Sequence, residues 1–201
     1  MPRNNVADNL NPPDIGRRLL IWGNSCAGKS TLAARLAHRL DLKYVDLDAL
    51  NWLPDWVGLN DIDPERLEQR MQEATTGDAW VVAGSYTRHS QRTFWPRLDT
   101  IIWLDLPLRL LLYRVVTRSW RRWRTNELLW GTNYEQFWLQ LMFWKKEESL
   151  VWWILHIHKQ RRLQTLEYMR DPQWAHIQWI RIGSQNELEQ WIENLSATGP
   201  K

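Results

Sequence analysis

The chain has 201 residues, with 26 Lys and Arg against 23 Asp and Glu, a single cysteine and 16 tryptophans. This length suits one domain with a substantial core and leaves little room for a second. A net charge of +3 does not by itself mark a nucleic-acid binder. The lone Cys26 excludes an intramolecular disulfide framework and fits a reducing cytosol, so a cytoplasmic location is expected.

Residues 1–16 are polar and lack the apolar core of a signal peptide; they read as a flexible tail before one domain over 17–198. RLLIWG, Arg18 to Gly23, reads as a strand, and Leu32, Ala33, Leu36, Ala37 and Leu40 mark one face of a following helix. KYVDLDAL, Lys43 to Leu50, reads as a second strand with two carboxylates near its end. A Trp-rich loop follows, then a helix opened by Asp63 as N-cap and Pro64 at its first position. AWVVAGSY is a third strand stopping at Gly84, and DTIIWLDLP a fourth, with Pro107 opening the helix LRLLLYRVVTRSWRR. Residues 119–170 read as a helical, Trp- and Arg-rich arm, helical from about Tyr134 to Met169 with a break near Lys145 to Ser149. AHIQWIRIG is a fifth strand, and Ser184 with Glu187 forms a capping box ahead of a last helix. Strands alternating with helices predict a three-layer α/β fold, a parallel sheet of about five strands covered on both faces.

The tryptophans crowd most densely between Trp120 and Trp153, and their number points to core and helix packing. Lys145, Lys146, Glu147 and Glu148 interrupt the longest apolar stretch there, so no membrane span of the roughly 20 residues required is expected.

Gly23, Gly28, Lys29 and Ser30 satisfy G-x-x-x-x-G-K-[ST], with a strand before and a helix after. The spacing has a physical cause: glycines let backbone N–H groups wrap phosphate oxygens at a helix N-terminus, where the dipole favours an anion. Residues Gly23, Asn24, Ser25, Cys26, Ala27, Gly28, Lys29, Ser30 and Thr31 are therefore the expected phosphate cradle, with Lys29 on the β- and γ-phosphates and Ser30 on Mg²⁺. GNSCA also approaches the nucleophile elbow G-x-S-x-G around Ser25, but Ala27 breaks that motif and no Asp-then-His pair follows. Cys26, in the loop, is a filler residue or a reactive thiol near a helix N-terminus.

With this loop, the acidic second strand, the AGSYTR turn and WLDLP, the chain resembles the adenylate-kinase-like P-loop proteins and, among them, the small bacterial topology-modulation proteins, over Arg17 to Leu195. The resemblance implies Mg·ATP as cofactor, a small or nucleoside monophosphate acceptor, and lid arginines after Asp105-Leu106-Pro107. Arg118 is the first lid candidate and Arg114 the second, followed by Arg121, Arg122 and Arg124. Arginine suits the task because its planar fork holds phosphoryl oxygens and stays charged. Lys29, Asp48 and Arg118 are the expected catalytic residues. The acceptor is expected near Asp46, Asp48, Gly84, Tyr86, Arg88 and Arg92, with Asp46 also holding Mg²⁺ indirectly. Alternation along a strand would point Asp46 and Asp48 the same way. Relatives often place an Asp before the glycine that ends the third strand; Ala83 stands there in this chain, so either Asp46, Asp48 or Asp105 acts on the metal through water or metal handling is weakened.

The five histidines form no metal-ligand pattern, His156 and His158 facing apart on a predicted helix. The basic, Trp-rich arm would also suit single-stranded nucleic acid, but two polyanionic phosphates need a positive funnel as well, and helix packing accounts for the indoles. Two functions stay open: a phosphotransferase, and a nucleotide-dependent switch or binding module. No guanine-reading motif such as Asn-Lys-x-Asp is present, so ATP rests on the resemblance alone.

Overall fold

A computed structural model describes residues 15–126, 128–130, 133–134 and 150–196. Its main sheet has five parallel strands, β1 (Arg18–Gly23), β2 (Lys43–Asp46), β3 (Trp80–Ala83), β4 (Thr100–Leu104) and β7 (Gln178–Ile182), ordered β2-β3-β1-β4-β7. A separate two-stranded antiparallel hairpin pairs β5 (Leu128–Leu129) with β6 (Asn133–Tyr134). The helices are α1 (Lys29–Leu40), α2 (Leu47–Asn51), α3 (Leu59–Ile62), α4 (Pro64–Ala74), α5 (Thr87–Thr93), α6 (Leu108–Arg124), α7 (Leu150–Tyr168) and α8 (Gln185–Ser196). No described helix is long and apolar enough to cross a membrane.

Strand alternation sorts the core into two halves. Leu19, Ile21, Val81, Ala83, Ile102 and Leu104 pack with α1, α6 and α8 on one face. Leu20, Trp22, Trp80, Val82, Ile101 and Trp103 pack with α2, α4 and Phe94-Trp95 on the other. Because both faces are covered, the strands carry apolar residues throughout. Trp95 is fully buried and meets Trp22, Tyr168, Trp174 and Trp179 edge to face, so much of the tryptophan content is packing material as expected. Trp120 and Trp123 instead stay half exposed near the end of α6.

Helix α7 starts against one core through Ile154 and ends against the other through Leu166 and Tyr168. On the way it passes the C-terminal ends of β1 and β4: the Trp22 indole donates to Thr165 Oγ1 at 3.0 Å, and Arg162 pairs with Asp105 at 3.1 Å. Arg181 joins the same Asp105 oxygen, so that carboxylate is engaged by two arginines.

Several boundaries differ from the sequence reading. The second strand stops at Asp46 because its carboxylate accepts the Asp48 N–H at 3.0 Å, an N-cap that starts α2. Asp48 therefore sits in a helical turn, and strand alternation does not relate it to Asp46. Tyr134 belongs to the hairpin rather than to a helix, and the expected break at 145–149 lies outside the described residues. Strand β7 begins at Gln178, since Pro172 to Trp174 form a 3-10 turn and Ile177 follows outside the strand. Ile15, placed above with the tail, is buried in the core, and its carbonyl accepts from Thr100 Oγ1 at 2.7 Å. At the other end of the chain, the Ser184 hydroxyl accepts the Glu187 N–H at 3.2 Å, as the capping pattern predicts.

Candidate functional site

Strand β1 delivers the chain into the loop 23–28, and α1 leaves it. Gly23 has φ 147°, and a Cβ there would come within 2.8 Å of the Leu104 carbonyl oxygen; Gly28 has φ 98°. Neither position suits a larger residue. Gly28 is the N-cap of α1, no side chain caps that end, and its first turn carries no acid. A helix start so arranged is suited to an anion.

Lys29 folds back across the loop, its Nζ donating to Gly23 O at 3.1 Å and Asn24 O at 3.0 Å. Burial lowers the Lys29 ammonium to about 8; the Asp48 carboxylate opposes this, while Arg161 and Arg118 add to it. Residues from α1, α2, α6 and α7 thus converge electrostatically on one point. Burial also lowers Arg161. Arg118 Nε is buried and has no hydrogen-bond partner among the described residues. An unpaired buried donor beside the glycine loop fits a phosphoryl oxygen, and so the residues present fit a nucleotide triphosphate. Arg114 behaves differently: Nη1 donates to Ala27 O at 2.9 Å and Nη2 to Gln185 Oε1 at 2.6 Å, bracing the loop from behind.

Across the loop lie the acids. Tyr86 donates to Asp48 Oδ1 at 2.9 Å, and burial together with the Asp48 charge drives the Tyr86 hydroxyl far up, keeping it a donor. Burial, and then the charge of Asp48, raises Asp46. Tyr44 donates to Asp46 Oδ2 at 3.3 Å, and burial, then the Asp46 charge, pushes its hydroxyl up to about 12. Asp46 stands in register beside Ala83, the position where an acid was missed in the sequence. The Trp130 indole, in the hairpin turn, opposes the rise of Asp46. Asn133, 2% exposed, fastens that hairpin by accepting from Trp56 N at 2.9 Å and donating to Leu53 O at 3.0 Å.

The structure brings Lys29, Asp46, Asp48, Tyr86 and Arg118 around the loop. Gly84 serves packing: a Cβ there would lie 2.6 Å from Leu47 Cβ. Ser85, its neighbour, donates to Gly23 O at 3.1 Å. Arg92 is directed to Glu68 at 3.3 Å, beside the His89–Glu68 pair. Arg88 is exposed, in the first turn of α5. Sequence reasoning missed Tyr44, Trp130, Asn133 and the placement of Arg161. Only the basic run Lys159 to Arg162 hinted at the last of these.

No family model matches the chain. Among solved structures, a gluconokinase from Sinorhizobium meliloti 1021 is similar with a TM-score of 0.51 at 16% identity, covering 91% of each chain. A sugar kinase from Janibacter sp. HTCC2649 has a TM-score of 0.51 at 17% identity, covering 92% of this chain and 99% of that one. The fold is that of the P-loop kinases. A curated relative, the uncharacterized protein YqaC of Bacillus subtilis (strain 168), is 28% identical over 120 residues. That match covers 60% of this chain and 66% of the relative's length, just under two thirds of it.

Proposed function

We propose that this chain is a phosphotransferase of the adenylate-kinase-like kind, moving the γ-phosphoryl of ATP to a hydroxyl of a small acceptor. The observation that carries this reading is the glycine loop opening α1, with Lys29 folded across Gly23 and Asn24 and the charges of Asp48, Arg118 and Arg161 acting on it. ATP with Mg²⁺ supplies the phosphoryl group and the leaving diphosphate. Residues 23–31 hold the phosphate end through backbone N–H groups. Lys29, leaving its two carbonyl partners, balances negative charge together with Arg118 and Arg161. The Ser30 hydroxyl and, through water, Asp46 would hold the cation. Asp48, oriented by Tyr86, takes the proton of the attacking hydroxyl.

The test is ADP release from Mg·ATP with and without acceptors, in wild type and Lys29→Ala. Acceptor-stimulated release that disappears in the variant supports the reading; turnover retained in Lys29→Ala refutes it. Ala83 at the end of β3 favours a second reading, a nucleotide-dependent switch without turnover. In that case nucleotide changes tryptophan emission, and no acceptor stimulates release.

A further inference from the structure

The acceptor side carries a wall of indoles. The Trp130 indole acts on Asp46, opposing the effect of its burial; its ring lies 5.8 Å from that of Trp56, which lies 5.5 Å from Trp52, with interplanar angles of 89° and 74°. Trp56 is 37% exposed, so part of this indole cluster, which follows α2 and its Asp48, faces solvent. Both Trp56 (φ 59°) and Trp130 (φ 49°) hold left-handed backbone, a conformation bulky residues avoid. Asn133 helps to impose it through the Trp56 N–H. The fold thus accepts local backbone strain to keep these two rings in place.

Three cations near the acid side are engaged elsewhere, whereas Arg88 is exposed in the first turn of α5. Arg70 donates to Leu50 O at 2.6 Å, Arg92 pairs with Glu68, and Arg97 donates to Thr75 Oγ1 at 3.2 Å. Arg118 and Arg161 act electrostatically on Lys29 in the glycine loop, where nucleotide phosphates need positive charge. Among the described residues, the side chains linked to Asp48 are a second carboxylate and two phenols, with the indole cluster following α2. That set accepts hydroxyl protons and stacks a ring, and it repels an anion.

We propose that the acceptor is an uncharged, hydroxyl-rich ring compound, of the nucleoside or free-sugar kind, stacked on Trp56 and Trp130 with its hydroxyls on Asp46 and Asp48. This rests on the phosphotransferase reading and excludes nucleoside monophosphates and sugar acids from the acceptor site. The experiment measures ADP release with matched pairs, a nucleoside against its 5′-monophosphate and an aldose against its aldonate, with Mg·ATP affinity measured separately. The uncharged member of a pair is expected to show kcat/KM higher by about a hundredfold, the size of a like-charge penalty in a specific site. The productive pair distinguishes nucleoside from sugar. Trp56→Ala is expected to raise the acceptor KM about tenfold, as loss of one stacking platform does, with ATP affinity unchanged. Preference for the anionic member, especially one lost in Arg88→Ala, overturns the proposal. So does release stimulated by neither member of any pair while ATP still binds. Absence of ATP binding instead refutes the phosphotransferase reading beneath it.

Discussion

The phosphate side and the acid side of the sheet's C-terminal edge are held by different means. The loop 23–28 takes its shape from glycine backbone, from Leu104 packed against Gly23 and from the Arg114 brace on Ala27. Apart from that brace, its contacts are short in sequence or lie on the central strands. The acid side is assembled from side chains, with α2 started by Asp46, Asp48 held by Tyr86, and a hairpin fastened by Asn133. A backbone cradle suits a phosphate common to many reactions, whereas a side-chain surface can be retuned for one acceptor without disturbing the cradle.

The largest separation between the two sides should come from their charged centres. Lys29→Ala is expected to cut ADP release by about 10³-fold or more with an unchanged circular dichroism spectrum, the scale of a lost transition-state contact. Asp48→Asn should lower kcat by about 10²- to 10⁴-fold, as loss of a general base does, while leaving ATP affinity in place. If Asp48→Asn weakens ATP binding as much as turnover, the two sides are not separable.

The next effect is a pH dependence confined to the phosphate side. Below about 8 Lys29 is protonated in both folded and unfolded chains, and its burial is fully destabilising. Between about 8 and the ordinary 10.5 the folded protein has released that proton and the unfolded chain still holds it. More protons on the unfolded state means stability rising with pH. Wild type should therefore gain stability relative to Lys29→Met as pH rises through this window, read from urea midpoints. A constant gap between the two proteins would argue against a lowered Lys29.

Smaller effects belong to the acid side. Asn133→Ala removes two hydrogen bonds and should cost about 1–3 kcal/mol in urea unfolding. It should also raise the acceptor KM and leave ATP affinity alone. Arg92→Ala breaks an exposed ion pair with Glu68 and should change stability by less than about 1 kcal/mol. A large KM change in that variant would return Arg92 to the acceptor site.

The phosphate side was legible because its constraints are local: nine consecutive residues carry the motif, and strand alternation read both faces of the sheet. The acid side misled for a physical reason. Asp-Leu-Asp alternates like a strand, yet a carboxylate two residues before an N–H is equally a helix cap, and here the cap prevails. The hairpin's strands are two residues long and have no periodicity to detect. Its anchor Asn133 bonds a backbone carbonyl 80 residues away, which no window of sequence reveals. Arg161 was visible as charge, but its approach to Lys29 depends on how α7 crosses from one core to the other.

The Arg114 brace also sets the order in which the molecule becomes complete during synthesis. The loop it supports lies near the start of the chain, but Arg114 comes 87 residues after Ala27, and its second anchor, Gln185, a further 71 residues on. A ribosome releasing the chain from its N-terminus exposes the glycine loop early and the means of fixing it last. The nascent protein therefore carries a recognisable phosphate motif long before it has the braced form of that loop, and it acquires that form only as α8 emerges.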